Sequence, residues 1–106
     1  MSWKLIWSPP AREHLLDHTG WLADRNPEAA LRFVGQVVSQ AEALLDHPHL
    51  GPIWDLHPAM GVRRLVSGKH LIYYEVLQDQ QAILVLTVRH SRERVPELDA
   101  VKPDPG

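Results

Sequence analysis

Basic side chains and histidines gather in the second half of this 106-residue chain, in the combinations best suited to chemistry. Arginines that converge on one face of a fold bind a phosphate or carboxylate through paired N–H donors, and histidine readily exchanges protons near neutral pH. With RNA as substrate, such groups could activate a 2′-hydroxyl, stabilise the phosphorane and protonate the leaving oxygen. The residues are Arg63, Arg64, Lys69, His70, Arg89, His90 and Arg92.

A structural role for these arginines is the alternative. Arg63 or Arg89 could pair with Glu75, or with acidic residues near the C-terminus, and so hold the end of the chain in place. Residue types alone leave both interpretations open.

Two further groups of histidines are candidate metal-binding sites, but their spacing gives only weak support for a metal. His14 and His18 stand four residues apart on a predicted helix, but the glutamate of an H-E-x-x-H site is missing and no third ligand is evident. The second group, His47-Pro48-His49 with His57, falls in a predicted loop, where histidine is common. We therefore expect no metal and no cofactor. Cysteine is absent, which excludes disulfides and thiolate sites.

Composition places the chain among ordinary globular proteins, with 44% hydrophobic and 23% charged residues. No apolar run approaches the ~20 residues of a membrane helix and no signal peptide is evident, so we expect a cytoplasmic protein without a membrane partner.

The net charge is -2, but the segment from Met60 to Arg94 carries six basic and three acidic residues. This distribution predicts a locally basic surface on a mildly acidic body.

The first half of the chain predicts one strand and two helices. Lys4–Trp7 is a short run rich in β-forming residues. The first helix should cover about Pro9–Arg25 with Ser8 as its N-cap, and the second should run from Pro27 to about Asp46 with Asn26 as its N-cap. Apolar residues repeat along both at helical spacing. Because almost no linker separates them, they should form a helical hairpin.

The second half predicts a proline-rich loop from His47 to Ala59, with Trp54 at the edge of the core, followed by three strands. The short connections between these strands suit antiparallel hairpins. The resulting fold is α+β in the order β-α-α-β-β-β, with a helical hairpin on a mainly antiparallel four-stranded sheet. We expect one domain over residues 1–96 and a flexible tail over 97–106. The strands are Val62–Val66, Leu71–Leu77 and a central Ala82–Arg89.

In this order the motifs resemble the ParE/RelE superfamily, the toxins of bacterial type II toxin–antitoxin pairs. The resemblance covers roughly Leu5 to Arg92 and implies the RelE/ParE-like fold. Its motifs are Ser8-Pro9-Pro10-Ala11, Trp21-Leu22-Ala23-Asp24-Arg25-Asn26-Pro27-Glu28-Ala29-Ala30, Leu44-Leu45-Asp46-His47-Pro48-His49-Leu50-Gly51, Val62-Arg63-Arg64-Leu65, Leu71-Ile72-Tyr73-Tyr74-Glu75-Val76 and Ile83-Leu84-Val85-Leu86-Thr87-Val88-Arg89-His90-Ser91-Arg92.

The turn between the helices, N-P-x-A-A, and the ending H-x-R are most similar to the ParE branch, although Trp21 stands where ParE-like sequences usually carry tyrosine. That branch implies a toxin that inhibits DNA gyrase and replication without being a nuclease. It also implies a cognate antitoxin, assembly into a toxin–antitoxin hetero-oligomer, and roles in growth regulation and plasmid stabilisation. The residues we predict to bind the target or partner are Arg63, Arg64, Arg89, His90 and Arg92.

The RelE branch implies a different activity, ribosome-dependent cleavage of mRNA. Arg63 and Arg89 fall where RelE-like arginines are expected, and His90 could act as an acid or base. However, no tyrosine follows His90. A net charge of -2 is also unfavourable for binding RNA, because such binding gains affinity by neutralising phosphates. A relative that binds its antitoxin without being toxic is the third possibility.

Overall fold

The computed structural model describes residues 3–54 and 61–91, and its order of elements confirms β-α-α-β-β-β. The first strand and the helical hairpin are β1 (Lys4–Trp7), α1 (Pro9–Arg25) and α2 (Pro27–Ala43). The remaining strands are β2 (Arg63–Ser67), β3 (His70–Leu77) and β4 (Ala82–His90). The ends of these three strands differ from the predicted ends by at most one residue. In the described part of the chain, no helix is long and apolar enough to span a membrane.

Two polar side chains set the starts of the helices, as the sequence predicts. The Ser8 hydroxyl accepts a hydrogen bond from the Ala11 amide at 3.2 Å and donates one to the Leu86 carbonyl at 2.9 Å, so it also attaches α1 to β4. Asn26 ends α1, because its backbone N–H donates a hydrogen bond to the Leu22 carbonyl. It also starts α2, because its side-chain Oδ1 accepts a hydrogen bond from the Ala29 backbone amide. One asparagine therefore closes the turn of the hairpin.

The second helix is shorter than predicted. The sequence predicts an end at Asp46, but α2 ends at Ala43. The Leu44 amide bonds to the Ala41 carbonyl, and the next amides repeat this tighter three-residue spacing through Asp46. The last turn therefore tightens and no longer continues the α-helix.

The sheet has the strand order β1-β4-β3-β2, which places β4 between β1 and β3. β1 runs parallel to β4, whereas β4 with β3 and β3 with β2 are antiparallel. A parallel pair cannot be joined by a tight turn, so the chain between its strands must cross over the sheet. The helical hairpin lies within this crossover and packs against the sheet.

Apolar residues pack together on both faces of the sheet. On one face, Phe33 and Val37 of α2 pack with Ile72, Tyr74 and the other residues of the main core, and we call this side the helix face. On the opposite face, Trp54 packs with Val62, Tyr73 and Leu86 in a smaller core. Trp54, predicted at the edge of the core, is only 3% exposed and packs edge-on against Tyr73 with ring centroids 5.2 Å apart.

The pairing of β3 with β4 contains a bulge. Tyr73 lies opposite Thr87 and Tyr74 lies opposite Val85, so Leu86 is an extra residue in β4. A bulge of this kind bends a strand and redirects the side chains beyond it. Beyond the bulge, Val88 and His90 lie opposite Ile72 and His70.

We predict that Ser8→Ala lowers the free energy of unfolding by about 1–2 kcal/mol, because it removes a helix cap and leaves the buried Leu86 carbonyl without its partner. Ser39→Ala, at an exposed position of α2, is the matched control and should change stability by less than about 0.5 kcal/mol. Urea denaturation measures both. Equal effects of the two substitutions would contradict this account of Ser8.

Candidate functional site

The arginines of β2 lie on opposite faces of the sheet. Arg63 is opposite Tyr74 in the register and Arg64 is opposite Tyr73. Because paired residues project to the same face, Arg63 lies on the helix face and Arg64 on the face that carries Trp54. Arg89 is opposite Leu71 and so shares the face of Arg64. The register therefore does not bring Arg63 and Arg89 together on one face, which is the arrangement that a shared phosphate site would need. Arg92 lies outside the described residues.

Arg63 holds the loop that follows α2. Its Nη1 donates to the Gly51 carbonyl at 2.8 Å and reaches the His49 carbonyl at 3.5 Å. Tyr74, opposite it, accepts a hydrogen bond from the Gly51 amide at 2.9 Å and donates to the Pro48 carbonyl at 3.0 Å. A methyl group on Gly51 would meet both the Tyr74 ring and the Arg64 carbonyl oxygen at 3.0 Å. We call this arrangement of Pro48, Gly51, Arg63 and Tyr74 the loop anchor.

The protonation of Tyr74 is tied to the loop anchor. Burial raises the pKa of its hydroxyl above the ordinary value of 10.0, although the Gly51 amide and the positive charge of Arg63 partly oppose the increase. The folded state therefore favours the neutral hydroxyl, which donates a hydrogen bond to the Pro48 carbonyl. A phenolate has no proton and could not donate this bond.

Although the register places Arg89 on the face of Arg64, its side chain turns towards the first helix. Its Nε donates to the Thr87 hydroxyl at 3.1 Å, and that buried hydroxyl is 3.3 Å from Nδ1 of His14 in α1. The contacts connect the end of β4 to α1. His14 therefore has a partner in the sheet and is not simply one member of a pair with His18.

Three histidines from distant parts of the sequence meet on the helix face, at the end of the sheet where β4 finishes. Nε2 of His18 lies 3.4 Å from Nε2 of His70, and their ring centroids are 5.2 Å apart. The ring of His90 is also 5.2 Å from that of His70. Phe33 of α2 packs against both His18 and His70, at centroid distances of 4.8 and 4.5 Å. We call His18, His70 and His90 the histidine cluster.

An open cavity of about 340 Å³ lies beside the histidine cluster. Trp21 at its rim is 51% exposed and stacks with His18, while the Arg25 guanidinium lies 3.9 Å from the Trp21 ring centroid. Within residues 3–54 and 61–91, no three histidine or acidic side chains are already arranged to hold a metal ion. The lining residues are His14, Asp17, His18, Trp21, Phe33, His70, Val88 and His90.

The sequence pattern groups these histidines differently. Helical spacing pairs His14 with His18, and position in the chain places His70 and His90 among the arginines. The hairpin between β3 and β4 could have suggested that His70 and His90 lie opposite each other. No sequence signal indicates that His18 meets them, because that contact depends on how α1 crosses the sheet.

A second open groove lies at the edge of the sheet, beside β1. It has a volume of about 430 Å³ and is largely apolar, and we call it the β1 groove. β1 is an edge strand, so one row of its backbone groups has no neighbouring strand among the described residues. The lining residues are Leu5, Ile6, Trp7, Arg12, Leu15 and Val38.

The sequence matches, over residues 5–95, a family described as "ParE toxin of type II toxin-antitoxin system, parDE". It is 37% identical over 90 residues to Toxin RelE3 of Caulobacter vibrioides, a match that covers 81% of this chain and 91% of that protein.

Two solved structures share the fold. The first, the chromosomal ParDE system of P. aeruginosa, superposes with a TM-score of 0.68 and 22% identity over 83% of this chain and 95% of the other. The second, the RelBE2 toxin–antitoxin complex of Mycobacterium tuberculosis, gives a TM-score of 0.61 and 18% identity over 85% and 99%.

We predict that Tyr74→Phe lowers the free energy of unfolding at pH 7 by about 1–3 kcal/mol, because the Gly51 amide and the Pro48 carbonyl both lose their partner. The folded state holds the Tyr74 proton more tightly than the unfolded chain does. The contribution of that hydroxyl is therefore complete below the ordinary tyrosine pKa of 10.0 and declines as the pH rises further.

The difference in stability between the wild type and Tyr74→Phe should accordingly stay constant up to about pH 9 and shrink from there to about pH 11. Urea denaturation of both proteins across this range measures the difference in stability. The contributions of all other titrating groups are the same in both proteins and cancel in that difference. A difference that stays constant with pH would contradict the role assigned to the hydroxyl.

Proposed function

Since the chain belongs to the ParE/RelE family of type II toxin–antitoxin toxins, we propose that it acts as a ParE-like inhibitor of DNA gyrase and that a cognate antitoxin neutralises it. The toxin would act in the cytoplasm, where gyrase works on DNA. It would act by binding, with no chemistry of its own.

The separation of Arg63 from Arg89 carries this proposal. A ribonuclease that used Arg63, Arg89 and His90 would need all three groups within hydrogen-bond reach of one phosphate. Instead, the strand register places Arg63 and His90 on the helix face and Arg89 on the opposite face, and Nε of Arg89 is engaged with the Thr87 hydroxyl beside α1. Arg63 is also engaged with backbone carbonyls of the loop anchor. This arrangement favours a binding protein over a nuclease built on these residues.

Arg64 and Arg89 are our proposed contacts with gyrase on the described surface. They share one face of the sheet, on strands that flank β3, and neither is fully buried. The sequence adds Arg92 as a further candidate just beyond the described part of the chain. Positive charges on such a surface would orient the toxin against an acidic patch of its target.

The β1 groove is our proposed docking surface for the antitoxin. Both structural neighbours are described as toxin–antitoxin systems or complexes. The groove combines apolar side chains with an edge strand, and Ile6 beside it is 36% exposed. An extended peptide can add to such an edge while an amphipathic helix covers the apolar residues next to it.

A supercoiling assay with purified toxin and gyrase tests the proposed target. We predict inhibition by the wild type and a loss of about tenfold or more in potency for the double variant Arg64→Ala/Arg89→Ala, equivalent to about 1.4 kcal/mol of binding. Arg32→Ala, an exposed arginine on α2, is the matched control and should stay within about twofold. Urea denaturation verifies that the double variant is folded.

A translation-coupled cleavage assay, run in parallel, tests the alternative that the protein is a RelE-like nuclease. The name of the relative Toxin RelE3 is the reason to include this assay. Cleaved mRNA together with undisturbed supercoiling would overturn the proposal in favour of a RelE-like nuclease. Inactivity in both assays, with tight binding to the antitoxin, would overturn it in favour of a non-toxic relative.

A further inference from the structure

We propose that His18 and His70 form a binding site for a borderline divalent transition metal, Zn²⁺ above all, that links α1 to the sheet. The two imidazoles present Nε2 to one another at the wall of the open cavity beside the histidine cluster. They are 52 residues apart in the sequence, so only the tertiary structure brings them together.

The separation of the two nitrogens fits a shared metal. Two histidines bound through Nε2 to one tetrahedral Zn²⁺, each at about 2.0–2.1 Å, have nitrogens about 3.3–3.4 Å apart. The observed distance between the two Nε2 atoms is 3.4 Å.

The ring positions provide a second measure. In the same tetrahedral arrangement the two ring centroids lie about 5.2 Å apart, because both rings point at the metal and meet at an angle. A straight N–H···N hydrogen bond of the observed length would place them about 5.7 Å apart. The centroids of His18 and His70 are 5.2 Å apart, with the ring planes inclined by 64°. The spacing of the two rings therefore matches that of two imidazoles bound to one tetrahedral ion.

The surroundings of the pair suit such an ion. Imidazole nitrogen is a preferred ligand of Zn²⁺, Cu²⁺ and Ni²⁺. Asp17 and His90 line the same cavity, and its open side admits water as a further ligand. A neighbouring open groove shares His18, His70 and His90 with this cavity and is also lined by the cations Arg32 and Lys69. Among the described residues that line these two spaces, Asp17 is the one acidic side chain and attracts a cation.

Packing against Phe33 limits the movement of both rings. His18 and His70 each contact its ring, at 4.8 and 4.5 Å between centroids. Ligands that are already oriented lose less entropy when they bind a metal. Since the site joins a helix to a strand, metal binding should stabilise the whole fold.

Titration of the purified, EDTA-treated full chain with ZnCl2 tests the site. We expect one equivalent of Zn²⁺ to bind by calorimetry, and the melting temperature to rise by roughly 10–15 °C at a metal concentration near 100 times Kd. His18→Gln and His70→Gln should each abolish most of the rise. His49→Gln, in the exposed loop after α2, is the matched control and should keep it.

A measurement on the unaltered protein covers the case in which a variant fails to fold. Long-range ¹H–¹⁵N spectra of the imidazoles should show Zn²⁺ shifting the Nε2 resonances of His18 and His70. Absence of binding, or Zn²⁺ shifts confined to other histidines, would overturn the site. A rise in melting temperature that survives His18→Gln and His70→Gln but is lost in His49→Gln would overturn it as well.

Discussion

The parallel pairing of β1 with β4 constrains most of this molecule. Two parallel neighbours cannot be joined by a tight turn, so the chain between them must cross the sheet. Here the two helices lie within that crossover. The Ser8 hydroxyl, bonded to both the start of α1 and the Leu86 carbonyl, fixes where the first helix leaves the sheet. From that point α1 passes over β4, which brings His14 to Thr87 and His18 to His70.

The same sheet geometry separates the basic residues. Side chains of consecutive strand residues point to opposite faces, so the adjacent Arg63 and Arg64 could not both join one site. The bulge at Leu86 then determines the faces of the side chains that follow it. As a result Arg89 lies with Arg64, whereas His90 faces the helices beside His70. A cluster that is dense in the sequence becomes two groups on opposite surfaces, and this division underlies our preference for a binding function.

The loop anchor gives Arg63 a structural function that residue type alone did not distinguish from a catalytic one. Residue type suggested a carboxylate partner for it, but its partners are the carbonyls of His49 and Gly51. The hydroxyl of Tyr74 satisfies both an amide and a carbonyl in the same loop. Buried backbone groups in a loop require such partners, and in this loop arginine and tyrosine side chains supply them.

Local signals were sufficient for the elements and their order. Ser8 and Asn26 cap their helices because short polar side chains can bond to free amides at that position, whatever the rest of the fold does. The apolar residues at helical spacing and the β-rich runs with short connections likewise depend only on neighbours in the chain. The predicted end of α2 was wrong, since tightening of the last turn has no comparably clear signal.

The surfaces to which we assign functions were decided only by the tertiary structure. The contact between His18 and His70, the partners of Arg63, and the faces of Arg64 and Arg89 all depend on the angle at which α1 crosses the sheet and on strand register. Both are set by packing between residues far apart in the chain, because the free energy of burying the core is shared across all of them and no single segment encodes it.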